Sequence, residues 1–133
     1  MIRAILAVLA GFVTWFVAAT LGNWLVRAFV PGYVAAEPVL TFTLGMMIAR
    51  LAVGVVSSLA AGYACAVVAR GHRGAILGCA AVLLLLFLPE HYSLWHKFPV
   101  WYHLFFLITL APLVLCGGAM YRRGPTAPVV PKA

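Results

Sequence analysis

Between Leu51 and Ala69 the chain carries no charged residue, and at ~1.5 Å of helical rise per residue such a run crosses the ~30 Å hydrocarbon of a bilayer. This feature leaves few folds open. A backbone in lipid must satisfy its own hydrogen bonds, and a single segment does so only as a helix. Comparable apolar runs recur along the chain, and spans are expected at residues 4–26, 41–69, 74–89 and 99–121. The first begins after Arg3 in the manner of a signal peptide, but its apolar run is longer than the ~7–15 residues of a signal h-region and reads as a retained span.

Four spans use nearly all of the 133 residues, which leaves no room for a second, soluble catalytic domain. A composition that is 66% hydrophobic and 8% charged agrees, since soluble surfaces draw on about 25% charged residues. The expected fold is therefore an all-α integral membrane protein, a four-transmembrane-helix bundle over residues 1–123. A disordered cytoplasmic tail rich in proline is expected over 124–133. The second apolar stretch is longer than one crossing, so residues 39–50 are expected to protrude from the hydrocarbon or lie at its interface.

The net charge of +7 speaks of topology rather than of nucleic acid, because the basic residues sit at helix ends and form neither a patch nor a helical stripe. Arg3, Arg70, Arg73, Arg122, Arg123 and Lys132 fall on one side of the predicted bundle, with Arg27 and Lys97 on the other. Six against two places both termini in the cytoplasm. Short loops and an Arg-rich cytoplasmic face suit a bacterial inner membrane.

Along the second span Gly54, Ser58, Gly62 and Ala66 recur every fourth residue and form a face of small side chains. Lipid tails give helices no hydrophobic reason to associate, so close backbone approach through small residues is a main source of packing energy. Either another helix of the chain packs there, such as the first with Ala7 and Gly11, or the face serves a homo-oligomer or a larger membrane complex. With few reactive groups in the chain, the leading expectation is an accessory subunit or small oligomer acting through helix contacts, without catalysis or cofactor.

Helical rise also fixes depth. Counting from the cytoplasmic helix ends, Asn23, Arg50, Glu90 and His103 fall at a common level about 24–30 Å up, where His91, His96 and Arg27 can join. Charged groups near lipid usually face the bundle and pair, so Arg50 is expected to pair with Glu90. The candidate ligand-binding residues are thus Arg50, Glu90, His91, His103 and Asn23. They support two alternatives to the accessory role: a small transporter or channel for an anionic or small solute, and a membrane enzyme or metal-binding protein using Glu90 and the histidines. No metal site is expected, since His91, His96 and His103 lack a paired spacing on one helix. Cys65, Cys79 and Cys116 share one depth and read as small packing residues.

Overall fold

A computed structural model describes residues 1–121; Arg122, Arg123, Lys132 and the expected tail over 124–133 lie outside the described residues. The elements are α1 (Ile2–Phe29), the single turn α2 (Tyr33–Ala36), α3 (Leu44–Ala69), α4 (Arg73–Ser93) and α5 (Val100–Ala119). Helices α1, α3, α4 and α5 are each long and apolar enough to cross a membrane.

Local chemistry sets the ends. α1 runs on to Phe29, and Val30 leaves the helix in an extended conformation, as the ring of the following Pro31 demands. Gly32 then takes a left-handed φ of 77° and starts α2. The residues expected to protrude ahead of the second span divide: Val39 and Leu40 end a turn that begins at Glu37, an irregular stretch follows, and Thr43 caps α3 by accepting a hydrogen bond from Met46 N at 3.3 Å. At the other end of α3, Arg70 and Gly71 both have left-handed φ. Gly71 N donates to Ala66 O at 2.8 Å, the closing bond of a Schellman turn, and α4 starts two residues later as the antiparallel neighbour of α3. α4 was expected to close at Pro89 but continues to Ser93. A proline removes only its own N–H bond to the carbonyl four residues back, and the extra turn carries His91 inward. α5 is likewise continuous through Pro112.

Around the bundle the order is α1, α3, α5, α4, with α3 also packed against α4. The small-residue face of α3 is consumed within the chain: Gly54, Ser58, Gly62 and Ala66 are all buried. Gly62 receives the Val114 carbonyl of α5, and Gly117 of α5 receives the Leu59 carbonyl of α3, so the two backbones meet where neither has a Cβ. On the other flank, Gly11 of α1 abuts the Ala61 carbonyl, Cys65 and Cys79. Ser57 and Ser58 donate to the carbonyls of Val53 and Gly54, each at 2.7 Å, and Ser58 Oγ accepts from Trp15 Nε1 at 3.1 Å. The helices are therefore closely packed around Ala7, Ala61, Cys65, Cys79, Leu83 and Val114.

Candidate functional site

Toward the opposite end the four long helices part around a half-open cavity of about 340 Å³. Each helix contributes a stripe at helical spacing: Trp15, Ala19, Asn23 and Val26 from α1; Arg50, Val53 and Gly54 from α3; Phe87, Glu90 and His91 from α4, continued by Leu94 just past its end; Tyr102, His103 and Phe106 from α5. Glu37 and Phe98, from the connecting segments, complete the lining. Trp15, Phe87 and Phe106 lie deepest and touch one another, with ring centroids 4.5 Å apart for Trp15–Phe87 and 5.1 Å for Phe87–Phe106. They floor the cavity with aromatic surface. Its walls set Asn23, Glu37, Arg50, Glu90, His91, Tyr102 and His103 among apolar side chains.

Arg50 is the centre of the polar wall. Its Nη1 donates to the Tyr33 hydroxyl at 2.7 Å and its Nε to the Tyr102 hydroxyl at 3.3 Å, while the guanidinium carbon lies 4.8 Å above the Phe42 ring. Tyr33, fully buried, donates a hydrogen bond to Asn23 Oδ1 at 3.1 Å, and Asn23 Nδ2 donates to Glu37 Oε1 at 3.2 Å. Glu37 Oε2 accepts from Arg27, from Nε at 2.8 Å and from Nη2 at 2.7 Å. One chain of bonds thus links α1, α2, α3 and α5.

The expected Arg50–Glu90 pair is not formed. Among the described residues the ion pair is Arg27–Glu37, because α2 folds the loop back and lays Glu37 over the end of α1. Arg50 is turned instead toward two phenols and a ring face, all neutral. Glu90 lines the same cavity from α4, is exposed, and its carboxylate takes no hydrogen bond or ion pair from any described residue.

His91 and His103 meet across the α4–α5 interface, Nδ1 to Nδ1 at 2.8 Å. His103 is fully buried, stacked on Trp95 at 4.9 Å, and its Nε2 has no hydrogen-bond partner. A hydrogen bond between two Nδ1 atoms requires one ring to carry the proton and the other to accept it. His96 is exposed and stays apart from the pair. Among the described residues no three His, Cys, Asp or Glu side chains converge to hold a metal ion. Glu90 and His91, adjacent in sequence, do not bond to each other: His91 meets His103.

The structure therefore gathers Asn23, Arg50, Glu90, His91 and His103 at one cavity and leaves His96 outside it. Tyr33, Tyr102, Glu37 and the aromatic floor escaped the sequence reading. Tyr102 had a usable signal, since it precedes His103 and so shares the depth of Arg50; Tyr33 had none, because its place depends on how the loop folds. Comparison of the chain with protein-family models, with curated proteins and with solved structures finds no match in any of the three.

Proposed function

We propose that this chain is a multi-pass protein of a bacterial inner membrane, with both termini in the cytoplasm, that binds a small anionic solute in the cavity at the outer end of its bundle. The topology rests on the six basic residues at the cytoplasmic helix ends and tail against Arg27 and Lys97 opposite. The binding reading rests on Arg50. A guanidinium half-buried among apolar helices gains from a counter-charge, and Arg50 has two phenol hydroxyls and a ring face instead. An anion entering the cavity supplies what is missing. The orphaned Nε2 of His103 adds a second polar atom without a partner on the same wall.

This reading is preferred to that of a subunit acting through helix contacts. The small-residue face that motivated a partner is filled by α1 and α5 of the same chain.

The test is calorimetric titration of protein purified in a neutral detergent with short carboxylates and inorganic phosphate. Saturable binding in the wild type, lost in an Arg50→Gln variant that still unfolds cooperatively on heating, is the expected result. Equal heats from both proteins would remove the proposal, and counterflow in liposomes then separates a carrier from a receptor.

A further inference from the structure

The chain has two acidic residues, and the structure treats them differently. Both oxygens of Glu37 are engaged, Oε1 by Asn23 and Oε2 by Arg27. Glu90 keeps a carboxylate that no described residue meets, and it faces the cavity that Arg50 faces. The two do not neutralise each other, because Arg50 is pinned by Tyr33, Tyr102 and the Phe42 ring from three different elements. The cavity thus holds one fixed cation without an anion and one carboxylate without a cation, on separate helices, above a floor of Trp15, Phe87 and Phe106.

We infer that the occupant of this cavity is a zwitterion, its anionic oxygens on Arg50 and its ammonium on Glu90 and the aromatic floor. The inference rests on the reading of the cavity as an anion site and adds the second charge. An ammonium, a quaternary one above all, gains from aromatic faces as well as from a carboxylate, and the walls supply both. A cavity of about 340 Å³ stands at the small end of ligand pockets, which suits a free amino acid or betaine, or the headgroup of a zwitterionic lipid reaching in through the open side.

The deciding comparison uses glycine betaine and its carbon isostere 3,3-dimethylbutanoate, which share shape and carboxylate and differ only in the charge of the quaternary centre. With detergent-solubilised full-length protein, betaine is expected to bind about tenfold tighter or more, the worth of one favourable charge or cation–π contact. Glu90→Gln, a change at an exposed side chain without partners, is expected to narrow the gap between the two ligands to what the aromatic floor alone supplies, and Arg50→Gln to abolish both. Equal affinities in the wild type, with Arg50 still required, would overturn the zwitterion and leave the anion site standing. No binding of either ligand would overturn both. Repeating the titration in nanodiscs of phosphatidylcholine and of phosphatidylglycerol identifies the source: an apparent betaine affinity lowered only in phosphatidylcholine marks a headgroup as competitor, and equal affinities mark a free solute.

Discussion

His91 of α4 and His103 of α5 share a single hydrogen bond, Nδ1 to Nδ1 at 2.8 Å. Removing one ring leaves the other with a stranded nitrogen, whereas removing both strands nothing. His103→Phe is therefore expected to lower stability by about 1 kcal/mol, within the range of interhelical bonds in membranes. The double replacement His91→Phe with His103→Phe should recover most of that loss. Thermal unfolding in detergent of the two single variants and the double variant closes the cycle, and strictly additive losses would mean that the rings do not interact.

Tyr33 and Arg27 allow a comparison in which the neutral residue outweighs the charged one. The Arg27–Glu37 pair has the two bonded groups in place, but the Arg27 side chain is 46% exposed, and exposed ion pairs contribute about 0–1 kcal/mol. Tyr33 is fully buried and its hydroxyl serves Arg50 on one side and Asn23 on the other. Tyr33→Phe, which deletes one oxygen, is expected to cost about 1–3 kcal/mol, more than Arg27→Ala. It should also weaken anion binding by loosening Arg50. A larger loss of Tm in Arg27→Ala would contradict this ranking.

Depth was legible in the sequence and direction was not. Helical rise is constant, so counting residues placed Asn23, Arg50, Glu90 and His103 at one height, and all four line one cavity. Rotation about each helix axis is set by packing, which no count supplies. Arg50 therefore turned to Tyr33 and Tyr102 rather than to Glu90. The loop over residues 30–43 was equally closed to inspection: its path depends on left-handed backbone at Gly32 and Leu40, and that path decides that Glu37 rather than Glu90 meets an arginine. The face of Gly54, Ser58, Gly62 and Ala66 was plain as a pattern, but its occupant became known only when α1 and α5 were seen upon it.

That occupancy makes a sharp prediction for glycine. A Cβ at Gly62 would run into the Val114 carbonyl, and one at Gly117 into the Leu59 carbonyl, backbone atoms that a rotamer change cannot clear. Gly62→Ala and Gly117→Ala are each expected to destabilise the bundle by about 1–3 kcal/mol or more, as overpacking does. Gly45 has nothing within 4 Å of its would-be Cβ, and Gly45→Ala should leave Tm unchanged or slightly raised, since alanine favours the helix. If Gly62→Ala kept the full Tm of the wild type, α3 and α5 would not meet as described.

The three cysteines carry the same lesson about direction into a counting experiment. By depth they were alike, yet Cys65 and Cys79 are buried against Gly11 and each other's helices, while Cys116 is exposed on α5. Cys116 also lies within a turn of the helix end at Ala119, about 4–5 Å by helical rise, where a reagent partitioned into a micelle reaches it. Cys65 Sγ, by contrast, sits against the Ala75 carbonyl at 3.4 Å, inside the buried core with Ala61, Ala66 and Cys79. Brief treatment of the folded protein with a membrane-permeant maleimide is expected to add one label by intact mass, and treatment after denaturation in hot dodecyl sulfate to add three. Two or three labels on the folded protein would mean that the α1–α3–α4 packing opens on the timescale of labelling, and none would place Cys116 inside an interface between copies of the chain.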